Sequence, residues 1–188
     1  KKSKYNKNPN KILIKNKEVF KEGDGIYSFG DKFTQLINIF DSKINFIAKK
    51  LEAKQYNFPS LMSPSLLKKI DYLDNSSQNA GFVTHLNEDL YQINSFKKDI
   101  KNKNDIIVSP KKFSKIKAIL SPTVCQHLYC MLSNSKVASN FTATASGSCF
   151  RYESKNMNFI DRLWNFTMRE IIFIGSREHV SKSLSEAM

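Results

Sequence analysis

Two segments near the end of the chain constrain its fold more than any other feature. Residues 148–153 and residues 163–174 both have the alternation of β-strands, and a loop rich in lysine, asparagine and methionine joins them. Because side chains two residues apart lie on the same face of a strand, Cys149, Arg151 and Glu153 share one face of the first segment. The second segment presents six side chains on one face: Trp164, Phe166, Met168, Glu170, Ile172 and Ile174.

An antiparallel pairing of these strands would bring a guanidinium, an aromatic ring and two carboxylates onto one surface. Such a surface suits a nucleotide, because the guanidinium binds a phosphate, the ring stacks on a base and a carboxylate accepts a hydrogen bond from an exocyclic amine. The alternative is an exposed cross-strand pair of arginine and glutamate, which is common in sheets. Spacing alone leaves both interpretations open.

The use of arginine points to the same part of the chain. Of the 30 basic residues 26 are lysine, and the four arginines all lie in the last quarter: Arg151, Arg162, Arg169 and Arg177. A chain that uses lysine by default keeps arginine where a planar fork must hold a phosphate or carboxylate at two points, unless the clustering is chance. The net charge of +13 fits an acidic partner, such as nucleic acid, an acidic protein or anionic lipid, and it equally fits a solvated lysine surface.

Size and composition indicate a folded domain. The 188 residues are 40% hydrophobic, which is enough to bury a core. No apolar run approaches the roughly 20 residues that a membrane helix needs, and the basic first ten residues lack the apolar core of a secretory signal. Three cysteines make no disulfide framework, so we expect a reducing, cytoplasmic environment.

Local patterns predict the order of the elements. We expect residues 1–20 to form a basic arm with a short strand at Lys11–Lys15, and residues 21–188 to form one domain. Helices are predicted at 31–52, 65–73, within 94–116, at 126–132 and after Ser176, which would cap the last one. Strands are predicted at 56–62, 81–86, 89–93, 106–109, 117–121, 148–153 and 163–174. Residues 74–80 are expected to form a polar turn, and residues 142–148 a flexible connection.

The two strands and their loop also carry a family resemblance. The loop is flanked by Phe150-Arg151-Tyr152-Glu153 on one side and by Arg162-Leu163-Trp164-Asn165-Phe166-Thr167-Met168-Arg169-Glu170 on the other. This arrangement resembles motif 2 of the class II aminoacyl-tRNA synthetases, which holds ATP. The resemblance implies an α+β fold, with an antiparallel sheet flanked by helices.

The same resemblance implies a role for each residue of the ATP site. Arg151 would contact the α-phosphate and the attacking carboxylate, and is the expected catalytic residue. Glu153 would accept a hydrogen bond from the adenine amine, and Phe166 would stack on the ring. Arg162 would help to place the triphosphate, and its neighbour Leu163 is counted in the same site.

A second segment, Leu120-Ser121-Pro122-Thr123-Val124-Cys125, resembles the substrate loop of the seryl type, with cysteine where a glutamate is usual. That departure resembles the zinc-dependent seryl branch and its relatives, the amino acid:[carrier protein] ligases, in which zinc binds the substrate amine. The resemblance assigns Cys125 and Glu170 to zinc, and Thr123 with Glu170 to the substrate. Zinc with three protein ligands keeps a fourth position for an amine. The third ligand stays open among Cys130, Cys149 and His127, for which burial in the core is the commoner fate.

The residues of these motifs are most similar to those of the carrier-protein ligases, and the segment Tyr72–Leu86 also resembles that family. This implies activation of a small amino acid by ATP and Mg²⁺, then transfer to the phosphopantetheine thiol of an acidic carrier protein. Two alternatives stay open: a synthetase, or a fragment of one, that charges tRNA, and a non-catalytic basic binding module.

Two further motifs of the class bear on assembly and completeness. Phe33–Pro59 resembles motif 1, the helix and strand that form the dimer, and implies a homodimer. Motif 3, with its glycine-rich strand and its arginine, is not found before residue 188. We therefore expect either a fragment of a longer protein or a degenerate copy.

Overall fold

The fold consists of short helices around three small sheets. The computed structural model describes residues 9–101, 108–137, 139–157 and 159–188. The helices are α1 (Pro9–Lys15), α2 (Asp31–Lys50), α3 (Pro64–Lys69), α4 (Tyr72–Ser76), α5 (Leu90–Lys101), α6 (Cys125–Leu132) and α7 (Arg177–Ala187). The strands are β1 (Val19–Gly23), β2 (Ile26–Phe29), β3 (Lys54–Tyr56), β4 (Leu61–Met62), β5 (Phe82–Val83), β6 (Ala118–Leu120), β7 (Phe141–Phe150) and β8 (Asn165–Ile174). None of the helices in these ranges has both the length and the apolar character needed to cross a bilayer.

The central sheet has the order β3-β7-β8. Strands β7 and β8 pair antiparallel along their whole length, from Phe141 opposite Ile174 to Phe150 opposite Asn165. Strand β3 joins the other edge of β7 in a parallel pairing. A second sheet, β4-β6-β5, is antiparallel, and β1 and β2 form a hairpin. The predicted α+β fold is confirmed, with the parallel β3–β7 pair as a departure from an all-antiparallel sheet.

Different helices cover the two faces of the β7–β8 pair. On one face Leu128 of α6 packs against Ala143 and Ile172. On the other face Arg169 of β8 contacts Asp41 of α2. Because helices approach from both sides, the middle of β7 has room only for small side chains.

Several predicted elements are confirmed by the structure. Residues 31–50 form the long helix α2, residues 118–120 form β6, and residues 125–132 form α6. The final helix begins as predicted, since the Ser176 hydroxyl accepts a hydrogen bond from the His179 N–H at 3.2 Å. In each of these segments the hydrophobic periodicity or the capping residue predicts the element that the folded chain forms.

The prediction for residues 142–148 is wrong. These residues form the middle of β7, the strand at the centre of its sheet, and not a flexible connection. Their small polar character was read as that of a loop. Strand preference depends on packing against neighbours, and here the neighbours are helices close on both faces. Strand β7 also ends at Phe150, so Arg151 and Glu153 follow the strand instead of lying in it.

Two predicted strands are helical in the structure. Lys11–Lys15 lies in α1, which Pro9 begins because its fixed φ fits a first helical turn. Residues 89–93 contain the start of α5, where the Asp89 carboxylate accepts a hydrogen bond from the Tyr91 N–H at 2.7 Å. Asp89 therefore acts as a helix cap.

Other predicted elements are divided or shortened. The predicted strand 56–62 is split between β3 and β4, which belong to different sheets. The predicted helix 65–73 breaks at Asp71, whose φ of 54° ends one helix and starts the next, so the expected turn 74–80 begins in α4. The first eight residues of the basic arm lie outside the described residues. Of the strand expected at 106–109, residues 106 and 107 also lie outside them, and residues 108 and 109 are not in a strand.

Candidate active site

The arginine after β7 lies over an aromatic ring on β8. Phe166 is opposite Cys149 in the strand register, two residues before Arg151. The Cζ atom of Arg151 is 5.5 Å from the centre of the Phe166 ring, which is a cation–π distance. The guanidinium and the ring therefore lie on the same side of the sheet, as the alternation of the strands predicted.

Two backbone carbonyls hold Arg151 in this position. Its N–H donates to the carbonyl of Trp164 at 2.9 Å, and its Nε donates to the carbonyl of Pro122 at 3.0 Å. Within the described ranges the side chain makes no hydrogen bond other than this one through Nε. The two terminal nitrogens are therefore available to an anion, and a phosphate that accepts from both is the ligand that suits them.

A pocket of about 270 Å³ opens beside the pair. Ile160 and Asp161 of the variable loop contribute to its wall. The pocket is also lined by every residue predicted to bind ATP: Arg151, Glu153, Arg162, Leu163 and Phe166. Its volume is close to the lower end of the range for small-molecule sites, about 300–1,000 Å³. The structure thus brings the whole predicted set together in one place.

Two charged side chains of the pocket are paired with each other. The Nη1 atom of Arg162 is 3.2 Å from the Oε2 atom of Glu153. The Arg162 side chain is 58% exposed, and an exposed ion pair contributes only about 0–1 kcal/mol. A bound triphosphate can therefore draw Arg162 away at small cost and leave Glu153 free to accept a hydrogen bond.

A second group of polar side chains lies where the loop before α6 meets β8. The Glu170 carboxylate accepts a hydrogen bond from the Cys125 backbone N–H at 2.6 Å. The Cys125 thiol donates to the Thr123 hydroxyl at a distance of 3.6 Å. The three residues that the resemblance assigns to substrate and zinc are therefore neighbours.

The cysteine of this group is a neutral thiol. Burial raises the pKa of Cys125, the hydrogen bond with Thr123 opposes this rise in part, and the nearby charge of Glu170 adds to it. Tyr129 follows Cys125 by one helical turn, and burial together with Cys125 raises its pKa too. Both groups are protonated near pH 7, so a metal that binds Cys125 must displace a proton.

A cavity of about 330 Å³ opens beside Cys125 and Glu170, and Val180 and Leu184 of α7 line part of it. Phe166 and Glu170 lie on the same face of β8, four residues and so about 13 Å apart. The pocket and the cavity are thus arranged along one strand.

The described residues offer two zinc ligands and not three. No cluster of three or more His, Cys, Asp or Glu side chains that could hold a metal occurs among them. His127 is buried, its ring stacks on Phe58 with centroids 5.3 Å apart, and its Nε2 is 3.2 Å from the Ser121 hydroxyl. Burial lowers the pKa of His127, as expected for a neutral core histidine. Because the donor set is incomplete, we assign no chemical step to zinc.

The other two cysteines are packed into cores. Cys149 is buried with Val124 and Ala145, and burial raises its pKa to about 11. Cys130 packs against the cluster around Leu67. All three cysteines are free thiols. Cys130 and Cys149 therefore have the structural role that was the commoner expectation for them.

Sequence reasoning missed parts of both sites. The carbonyl of Pro122 and the side chain of Asp161 carry no signal in the sequence, because their positions depend on how two loops meet. Tyr129 did carry one. It follows Cys125 by four residues in a segment predicted to be helical, a spacing that places both on one face.

The remaining arginines lie outside the pocket. Arg169 points to the opposite face of β8 and binds the Asp41 carboxylate at two points. Arg177 is the first residue of α7 and is exposed. The planar fork is used at Arg169, for a carboxylate within the fold, and no such use is seen at Arg177 in the described residues.

Solved structures similar to this chain are aminoacyl-tRNA synthetases. The seryl-tRNA synthetase of M. kandleri, solved with tRNASec of A. aeolicus, matches 100% of the chain with a TM-score of 0.84 and 16% identity. The prolyl-tRNA synthetase of Giardia lamblia, solved with prolyl-adenylate, matches 94% with a TM-score of 0.71 and 18% identity. The cytoplasmic serine-tRNA ligase of Naegleria fowleri, solved with AMP, matches 94% with a TM-score of 0.69 and 14% identity.

These matches establish the fold. The chain has the α+β fold of the class II synthetases over its whole length. It spans 38%, 32% and 39% of the three matched chains. No protein-family model and no curated protein matches the sequence.

Proposed function

We propose that this chain is the ATP-binding part of a ligase that activates an amino acid as its aminoacyl-adenylate. The observation that carries the proposal is the pocket in which the Arg151 guanidinium lies over the Phe166 ring, with Glu153 and Arg162 beside them. The shared fold supports it, because similar synthetases have been solved with prolyl-adenylate and with AMP.

The proposed reaction is an in-line displacement at phosphorus. A carboxylate oxygen of the amino acid forms a bond to the α-phosphorus of ATP. The bond from that phosphorus to the bridging oxygen breaks, and pyrophosphate leaves with the electron pair. The terminal nitrogens of Arg151 neutralise the charge that develops on the α-phosphate oxygens. Catalysis then depends on positioning, and the reacting centre needs no proton transfer.

The remaining pocket residues bind the nucleotide. Phe166 stacks on the adenine, Glu153 accepts a hydrogen bond from its amine, and Arg162 turns from Glu153 towards the triphosphate. Leu163 supplies apolar wall. The carboxylate of Asp161 is an oxygen ligand of the kind that Mg²⁺ prefers. Mg²⁺ bound with ATP would add charge neutralisation at the phosphates.

We place the amino acid in the cavity beside Cys125, where Glu170 would bind its amine and Thr123 lies next to Cys125. Val180 and Leu184 give the cavity an apolar wall for the amino acid side chain. Cys125 and Glu170 as a pair of zinc ligands belong to this proposal. The three free thiols are consistent with a reducing cytoplasm.

Two acceptors compete for the activated amino acid. The motif wording supports the thiol of an acidic carrier protein. The second candidate is tRNA, and the likeness to a seryl-tRNA synthetase solved with tRNASec favours it. A net charge of +13 attracts either polyanion, so charge does not separate them.

We further propose that α2 forms the interface of a homodimer. It is 20 residues long, and Ala48 is its one buried residue. Three of its large apolar side chains are more than half exposed: Ile39, Phe40 and Phe46. An apolar surface of this kind marks an interaction site.

The deciding experiment is amino-acid-dependent exchange of radioactive pyrophosphate into ATP by the purified protein. The proposal predicts exchange with glycine, alanine or serine and none without an amino acid. If none of the tested amino acids supports exchange, the result would favour a non-catalytic basic binding module. Acyl transfer from the pre-formed adenylate to holo carrier protein, or to tRNA, then identifies the acceptor.

A further inference from the structure

The β1–β2 hairpin packs on the loop that forms much of the nucleotide pocket. Tyr27 of β2 meets Phe159 of the loop edge to face, with ring centroids 5.7 Å apart. Met157, earlier in the same loop, is 5% exposed. The carbonyl of Gly25, at the turn of the hairpin, accepts a hydrogen bond from the Trp164 N–H at 2.8 Å. The hairpin thus contacts both the middle and the end of the loop.

A short series of hydrogen bonds connects this turn to the candidate catalytic arginine. The N–H of Trp164 donates to Gly25, and the carbonyl of Trp164 accepts from the Arg151 N–H. Trp164 also lies two residues from Arg162 and two from Phe166. A displacement of the Gly25 carbonyl would therefore move Trp164. Trp164 is hydrogen-bonded to Arg151 and close in sequence to the other two pocket residues, Arg162 and Phe166.

The turn needs glycine for two reasons. Its φ of +72° is in the left-handed region that glycine adopts without strain. A Cβ atom on Gly25 would also lie 2.6 Å from the Met157 sulfur and 2.9 Å from the backbone nitrogen of Trp164. The sulfur is at the end of a flexible side chain and can move. The Trp164 nitrogen is backbone, so any larger residue must displace the backbone that donates the hydrogen bond to the turn.

We infer that the β1–β2 hairpin holds the loop between β7 and β8 in its nucleotide-binding geometry. Gly25 is then a positioning residue for Arg151, Arg162 and Phe166. This inference rests on the proposed function, since it takes the pocket to bind ATP. Gly25 is not among the residues that line the pocket, and it acts through Trp164.

The test compares Gly25→Ala with Gly23→Ala in the intact protein. Gly23 is in the same hairpin, and a Cβ there would make only ordinary contact with Ile26, at 3.5 Å. Isothermal titration calorimetry measures ATP affinity, and amide hydrogen exchange measures the protection of Arg151 and Trp164. We expect Gly25→Ala to weaken ATP binding about tenfold and to speed exchange at both amides, because small displacements of positioned groups are costly. Gly23→Ala should match the parent protein in both measurements.

Each outcome bears on the inference. Unchanged exchange and ATP affinity in Gly25→Ala would overturn it and leave the proposed function intact. Equal loss in both variants would mean general destabilisation and would also overturn it. If the parent protein binds no ATP, the proposed function fails and the nucleotide role of the hairpin fails with it, whatever the exchange shows. Where Gly25→Ala does not fold, Tyr27→Leu removes the contact with Phe159 and is expected to give the same pattern, more weakly.

Discussion

Arg169 holds the carboxylate of Asp41 at two points, with Nε 2.6 Å from Oδ1 and Nη2 2.9 Å from Oδ2. The two residues are 128 positions apart in the sequence, and the pair joins α2 to β8. The Arg169 side chain is 12% exposed. The next residue on β8 is Glu170, which points to the opposite face. The ion pair therefore fixes the proposed dimer helix against the strand that carries the candidate site.

Asp41→Asn should lower the free energy of unfolding by about 1–2 kcal/mol, because it leaves a largely buried guanidinium without its charged partner. This value allows for screening by solvent at the partly exposed carboxylate. Urea denaturation of the variant measures it. The exposed Asp74→Asn serves as a control and should change the unfolding free energy little.

The same pair predicts a dependence of stability on pH. The hydrogen bond to Arg169 lowers the pKa of Asp41 below its usual 3.8. Its contribution is therefore complete above about pH 4 and is lost as the pH falls through the lowered pKa of the folded state. Asp41→Asn should lose less stability on acidification than the parent protein. Parallel curves for the two proteins would contradict this assignment.

Arg151→Lys should abolish adenylate formation without unfolding the protein. Lysine keeps the positive charge but lacks the fork that donates to Pro122 through Nε and to a phosphate through both terminal nitrogens. Pyrophosphate exchange measures the loss, and thermal melting checks the fold. Arg177→Lys makes the same chemical change at an exposed arginine and should keep full activity. Exchange retained by Arg151→Lys would remove Arg151 from the mechanism.

Phe166→Leu should raise the KM for ATP about tenfold, since stacking of a base on an aromatic ring is worth roughly 1–3 kcal/mol. The KM for the amino acid should change little, because Glu170 lies about 13 Å further along the strand. Phe141→Leu, at the far end of the strand pair, is the matched control. Equal rises in both KM values would indicate a disturbed sheet instead of a lost stacking partner.

Cys125→Ala should lower the amount of zinc that purifies with the protein, measured by atomic emission, because it removes one of the two proposed ligands. Cys130→Ala, which alters a thiol packed in the core, should keep its zinc. Because burial raises the pKa of Cys125, protons compete with the metal across the neutral range, and zinc occupancy should fall as the pH is lowered. Full zinc in Cys125→Ala would remove this ligand.

Phe40→Glu should convert the proposed homodimer to a monomer, because a carboxylate in the middle of an apolar interface cannot be solvated there. Light scattering of the purified protein measures the mass. Asn38→Glu adds the same charge at an exposed polar position on the same helix, and should stay dimeric. A parent protein that is monomeric at high concentration would dismiss the interface.

Local sequence determined much of this protein. The helical spacing in α2, the cap at Ser176 and the alternation of β8 each place an element within a few residues, because these signals involve neighbours in the chain. The order of residues from Arg151 to Phe166 likewise predicted a pocket. Those residues flank one loop between paired strands, so closeness in sequence ensures closeness in space.

Only the tertiary structure decided the features that depend on distant partners. Residues 142–148 are a central strand because α2 and α6 cover their two faces, and nothing within the segment reports those helices. His127 is a core residue because Phe58 and Ser121 surround it. The Gly25 carbonyl accepts a hydrogen bond from the Trp164 N–H, a contact across 139 positions of the sequence. Such contacts join residues that are distant in the sequence. They form, and contribute free energy, only when the whole chain packs together.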